Sequence, residues 1–185
     1  MEQFVRCKEC NGHYIIREGT TGTFAGCSNY PRCRSTVSVE EFVYRHFAMN
    51  GINVYCWNKF CWKCNKATPV YSYYLKLDLS KVTDLFEFDA EVGVGSFESL
   101  DRCLRQAYPS ITKKYSRTVN GVYTANTCVH CGSLQGRNYV VDDPHEIFDE
   151  YFYKKNLDRF LVARINFAAV DKALFWKEIR AHFHP

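Results

Sequence analysis

The stretch Gly22-Thr-Phe-Ala-Gly-Cys-Ser-Asn-Tyr-Pro-Arg-Cys-Arg34 decides how the first part of this chain folds. Within it Cys27 and Cys33 form a C-x5-C pair, while Cys7 and Cys10 form a C-x2-C pair, with sixteen residues between Cys10 and Cys27. Two knuckles of thiolates at that separation suit one tetrahedral zinc ion, bound at about 2.3 Å per sulfur, with a hairpin between them. His13 to Arg17 reads as one strand of that hairpin, Thr20-Thr21-Gly22 as its turn, and Thr23 to Gly26 as the returning strand. A module this small buries too little apolar surface to hold itself together, so the metal supplies most of its folding energy.

The pattern Cys7-x2-Cys10, Gly22, Phe24, Gly26-Cys27-Ser28-Asn29-Tyr30-Pro31 and Cys33-Arg34 resembles the four-cysteine zinc finger at the C-terminus of bacterial type IA topoisomerases. The resemblance covers about residues 7–36. It departs in the first knuckle, where the family usually has Pro after the first Cys and Gly after the second. Here those positions are Lys8 and Asn11, with Gly12 one place later. The family's ribbons contact single-stranded DNA, which implies the same for Tyr14, Arg17, Phe24, Tyr30, Arg32 and Arg34. The residue types suit that task independently: rings stack on bases without reading them, and guanidinium groups neutralise phosphates. Tyr14 is the ring expected to make contact first. Phe24 and Tyr30 are equally able to pack the hairpin. The topoisomerase reaction itself belongs to a separate large domain with a nucleophilic Tyr, which a chain of 185 residues cannot also hold.

Working outward, 185 residues suffice for one domain of ordinary size or two small ones. No apolar run approaches the ~20 residues of a membrane helix, and Met1 to Arg6 has no signal-peptide core. A cytoplasmic protein is expected, in which ten cysteines read as metal ligands rather than disulfides. A net charge of +4 permits a nucleic-acid partner without demanding one. A domain boundary is expected after residue 37, with a second zinc-binding domain over residues 38–185.

That second domain opens on Ser38-Val39-Glu40-Glu41, a capping box for a helix that buries Phe42, Val43, His46 and Phe47 and stops at Asn50-Gly51. Ile52, Val54 and Cys56 alternate as a strand leading to a second pair of knuckles, Cys61-x2-Cys64 and Cys128-x2-Cys131. These read as a second zinc ribbon whose hairpin holds a folded insertion of 63 residues, 65–127. Cys56 is the one thiol placed to compete for that site. Within the insertion, Val70 to Leu79 reads as a strand and Leu85 to Phe88 as another. Ser96 reads as the cap of a helix burying Cys103, and Lys113 to Ala125 as a hairpin turning at Asn120-Gly121. Beyond Cys131 the apolar stripes predict helices, including Leu157, Phe160, Leu161, Ile165 and Ala168 in one and Leu174, Phe175, Ile179 and Phe183 in another. The fold class expected is α+β.

Two sites filled by four thiolates each leave no open coordination position, so both zinc ions are expected to be structural. Nothing resembles a phosphate-binding Gly-rich loop or a Ser-His-Asp set. The cluster Asp142, Asp143, His145 and Glu146 is the one candidate for a catalytic cation, and it also suits a helix N-terminus. The reading favoured is a non-enzymatic zinc protein that binds nucleic acid, single-stranded DNA foremost. Its rivals are a module that docks to a protein complex and a small metal-dependent nuclease.

Overall fold

Val5 and Tyr14 begin the first hairpin as a buried pair, because the ribbon keeps one face covered. The computed structural model describes residues 4–83, 85, 92–142, 147 and 149–184. Strands β1 (Tyr14–Gly19) and β2 (Gly22–Cys27) pair antiparallel from Tyr14↔Cys27 to Gly19↔Gly22, and β3 (Thr36–Val37) adds to the far edge of β2. Gly22 has φ +114°, a left-handed conformation that explains why glycine closes this turn. Helix α1 (Val39–Asn50) follows at once. The Ser38 side chain accepts from the Glu41 N–H, and Gly51 at φ +70° ends the helix. The expected cap and stop are both present.

Packing divides the chain into two units, each assembled from more than one stretch. The first comprises Met1–Ile52, Leu75–Ala90 and Asn166–Pro185. In it α1 packs against the C-terminal helix α5 (Lys172–Phe183), with Phe47 edge-on to Phe175 and Tyr44 edge-on to both Phe167 and Trp176. Asp171 caps α5 by accepting from the Leu174 N–H at 3.1 Å. His46 is a core residue, 1% exposed, and burial holds its imidazole down to about 4. This unit also carries the short helix α2 (Leu75–Ser80). The grouping differs from a boundary after residue 37, since α1 and α5 belong with the ribbon.

The second unit comprises Asn53–Tyr74 and Glu91–Ile165. Strand β4 (Ile52–Phe60) is the middle of one sheet, with β5 (Ala67–Ser72) and β9 (Leu161–Ile165) on either side. A second sheet has the order β6 (Ile111–Ser116), β7 (Gly121–Thr127), β8 (Leu134–Gln135). Asn126 links the two sheets: its side chain accepts from the Tyr71 N–H at 2.8 Å and donates to the Tyr71 carbonyl at 2.9 Å. Buried at 3% exposure, it supplies the edge of β5 with the bonds a further strand would make. Helices α3 (Glu98–Ala107) and α4 (Arg137–Asp142) also belong to this unit, with a π-helical turn at Asp149–Tyr153 and a 3-10 turn at Asp158–Phe160.

The fold is mixed α and β, as expected, but several elements differ from their sequence reading. Val70 to Leu79 is not one strand: β5 ends at Ser72 and α2 starts at Leu75. Leu161 to Ile165 is strand β9 rather than helix, anchored where Arg164 Nε donates to Asn53 Oδ1 at 2.9 Å. Phe97, not Ser96, occupies the cap position of α3, and Cys103 is half-buried rather than enclosed. The strand expected at Leu85 to Phe88 lies outside the described residues apart from Leu85. So does the acidic cluster, apart from Asp142, which ends α4.

Candidate metal centres and nucleic-acid interface

Eight cysteines meet in two sets of four: Cys7, Cys10, Cys27 and Cys33, and Cys61, Cys64, Cys128 and Cys131. Within each set all sulfurs lie within 4.8 Å of one another. Cross-knuckle separations are 3.8 Å for Cys7–Cys33, 3.4 Å for Cys10–Cys27, and 3.7 Å for both Cys61–Cys131 and Cys64–Cys128. A tetrahedron with arms of about 2.3 Å has edges of about 3.8 Å, so both sets fit zinc without rearrangement. All ten thiols are free of disulfides, and Cys56 and Cys103 stand outside both sets.

The backbone frames the two centres in the same way. In each case the N–H two residues beyond a cysteine points at its sulfur at 3.4 Å: Glu9 to Cys7, Gly12 to Cys10, Asn29 to Cys27, Lys63 to Cys61 and His130 to Cys128. Such donors favour the thiolate form that binds metal. Burial opposes this at Cys7, but the Glu9 N–H and the Ser35 and Cys27 side chains bring its thiol down to about 6. At Cys61 burial is likewise outweighed, by the Ser133 hydroxyl and the Cys64 and Lys63 N–H groups, to about 5. Cys27 goes the other way. The Asn29 N–H lowers it, but burial and the Cys10, Cys7 and Cys33 thiols push it up to about 12. One negative sulfur thus hinders the ionisation of its neighbours, and a divalent cation removes that conflict.

In the second centre Asn65 and Gly132 occupy equivalent places, each four residues after the first cysteine of its knuckle, with φ of +55° and +66°. Asn65 N donates to Cys61 O and Gly132 N to Cys128 O, at 2.9 and 2.8 Å. The first knuckle instead needs Gly12 for space. A Cβ there would lie 2.9 Å from Ser28 Oγ and 3.1 Å from Cys27 Sγ. The shift of glycine by one place relative to the resembled family is therefore accommodated by close approach of the two knuckles.

The six residues expected to meet nucleic acid fall into three placements. Tyr14 is 1% exposed, and its hydroxyl shares a 2.7 Å hydrogen bond with Ser35 Oγ, so it cannot stack on a base. This corrects the expectation that it leads the contact: the ring is part of the ribbon's own core. Arg17, Phe24, Tyr30 and Arg34 instead line one concavity of about 440 Å³, together with Gly26, Cys27, Cys33, Ser35 and Thr36. Tyr30 is 62% exposed, and the Arg17 guanidinium lies 5.8 Å from its ring centroid. Among the described residues Arg17 Nε is buried without a hydrogen-bond partner, while Arg17 Nη2 donates to Cys27 O at 3.4 Å. Arg32 is exposed but does not line this hollow. Lys8 is engaged elsewhere, 2.7 Å from Glu41.

With this geometry in view, residues 5–41 match the family described as the topoisomerase DNA-binding C4 zinc finger, so the N-terminal module is a zinc ribbon of topoisomerase type. A DNA topoisomerase 1 from Methanothermobacter thermautotrophicus is 47% identical over 36 residues. That match covers 20% of this chain and 5% of the relative. No solved structure matches the chain. No described helix is long and apolar enough to cross a membrane.

Proposed function

We propose that this chain is a non-enzymatic, two-zinc protein of the cytoplasm that binds single-stranded DNA through its first ribbon. The observation that carries the reading is the hollow of Arg17, Phe24, Tyr30 and Arg34, which combines two cations with two rings around one concave surface. The Arg17 guanidinium beside the exposed Tyr30 ring offers a charge-assisted donor to a phosphate oxygen. Support for DNA as the ligand comes from the matching family's description and from the topoisomerase relative. Both metal centres are filled by thiolates, which favours a structural over a catalytic use of zinc.

Titration of a labelled oligonucleotide against salt tests this. Arg17, Arg32 and Arg34 remain as phosphate partners once Lys8 is assigned to Glu41, so log affinity against log salt has a slope of about −2. Arg34→Gln flattens it by about 0.7. Tyr30→Ala costs about 1–3 kcal/mol with the slope unchanged, because stacking releases no counterions. Affinity unaltered when all three arginines are removed sinks the ribbon as the site and leaves docking to a protein complex as the ribbon's role.

A further inference from the structure

The second unit carries an open trough of about 790 Å³ that the first ribbon does not touch in sequence. Its rings come from Trp62, Tyr115, Tyr123 and Tyr139, and its cations are Arg117 and Arg137. Ser116, Thr118, Val119, Leu134, Gly95 and Gly136 also line it, and among the described residues the lining includes no carboxylate. Trp62 is 61% exposed and Tyr115 58% exposed, an unusual state for rings of that size in a folded unit.

These side chains are held in place rather than merely left outside. Trp62 Nε1 donates to Leu134 O at 2.7 Å, and Tyr115 Oη donates to Asn120 Oδ1 at 2.6 Å. Tyr139 Oη donates to Phe60 O at 2.7 Å, while the Lys59 ammonium sits 4.1 Å from the Tyr139 ring centroid and donates to its carbonyl. Gly95, at φ +97°, lets Tyr123 form the wall, since a Cβ there would lie 2.8 Å from Thr124 O and 3.3 Å from the Tyr123 ring. Arg137 Nη1 donates to Ser96 Oγ at 2.9 Å, and exposed Arg117 has no partner among the described residues. The second zinc centre brings the parts together: Trp62 lies inside one knuckle, and β8 leaves the other.

We propose that this trough is a second, independent site for single-stranded nucleic acid, in which Trp62 and Tyr115 stack on bases while Arg117 and Arg137 meet phosphates. Ordered rings with no sequence-reading polar set between them suit a ligand in which every unit offers a flat face and a negative charge. Two guanidinium groups in the lining, with no acid among its described residues, favour a polyanion over a cationic ligand. The site stands whether or not the first ribbon binds.

The test uses the full zinc-loaded chain and a fluorescein-labelled oligothymidylate. Tyr115→Ala weakens binding about 5- to 150-fold without changing the salt slope. Arg117→Gln combined with Arg137→Gln flattens the slope by about 1.4. Both variants must retain two zinc equivalents, which separates lost contact from lost fold. Unlabelled oligothymidylate quenches tryptophan fluorescence in the wild type and in Arg17→Gln/Arg34→Gln, and not in Trp62→Phe. Wild-type affinity and slope in both trough variants overturn the proposal, whatever the ribbon variants do. Wild-type affinity in Arg17→Gln/Arg34→Gln overturns the ribbon reading alone, and no binding by the wild type at ~50 mM salt overturns both.

Discussion

The two zinc centres share ligands, geometry and the N–H framing of their sulfurs, yet they close very different lengths of chain. Sixteen residues separate the knuckles of the first and 63 those of the second. Two doublings of loop length raise the entropic cost of closure by only about 1.2 kcal/mol, a small term beside about 10–16 kcal/mol of apparent zinc affinity. A metal knuckle therefore tolerates a large insertion readily. What differs is the content of the loop. The first holds a bare hairpin, while most of the second has its own sheet, a helix and the Asn126 bridge. The first centre stabilises a module, and the second registers elements already able to pack.

Removing one ligand from each centre gives the largest effects and the sharpest test of that contrast. Cys27→Ser and Cys61→Ser should each leave one zinc per chain, whereas Cys56→Ser and Cys103→Ser should leave two, as counted by plasma spectrometry. Hydrogen exchange should show β1 and β2 opening fully in Cys27→Ser. In Cys61→Ser the β6–β7 hairpin should stay protected. Loss of protection throughout the second unit in Cys61→Ser would show that both centres act alike.

Glycine substitutions come next. Gly12→Ala and Gly95→Ala each force a Cβ to within 2.9 Å of a neighbour, and at Gly95 that neighbour is the Thr124 carbonyl, which cannot swing away. Losses of about 1–3 kcal/mol are expected in denaturant unfolding, with Gly95→Ala the larger. Gly22→Ala meets nothing within 4 Å and should cost about 1 kcal/mol, from its φ alone.

Acidity should separate the two units in opposite directions. His46 in the first unit is held neutral by burial, to about 4, below the ordinary 6.5. That unit should lose stability as pH falls from about 6.5 through 4, since the unfolded chain takes up the proton first. In the second unit burial pushes the Asp101 carboxyl up to about 7, against the Gly95 N–H, the Tyr73 hydroxyl and Arg105, and with Glu98 adding to the rise. Here stability should fall as pH rises from about 4 through 7, because the folded state keeps its proton longer. Asp101→Asn should flatten that fall between about pH 4 and 7, read as exchange rates of α3 amides across pH. An unchanged fall would remove Asp101 as its source. The smallest effects should come from the caps in the first unit: Ser38→Ala and Asp171→Ala should each cost about 1 kcal/mol in thermal unfolding.

Much of this architecture was legible because its signals are local. Cysteine spacing marked both metal centres, and Ser38 with Glu41, Gly51 and Asn120-Gly121 marked their turns and caps. Local signals fail where burial is complete on all sides. Tyr73, Leu75, Leu77 and Leu79 are all buried, so alternation along Val70 to Leu79 matched a strand although a helix begins at Leu75. Leu161 and Val162 are exposed on β9, and a stripe drawn through such residues carries no period. Tyr14 shows the limit for function: a ring beside a knuckle has the same letter whether it stacks outward or packs inward. The trough was illegible for another reason, since Trp62 and Tyr115 lie far apart in the sequence and reach one surface only in the folded unit.

The interleaving of the two units has a consequence for how the chain is made. A ribosome adding about 5–20 residues per second finishes α1 and then spends about 6–23 s on residues 53–165 before α5 begins to appear. Throughout that interval Phe47 lacks the Phe175 side of its core, and by its end the second unit has every residue it needs. The nascent chain thus carries a greasy helix beside an already metallated finger, and its half-built N-terminal unit is the part that a holding chaperone would have to shelter.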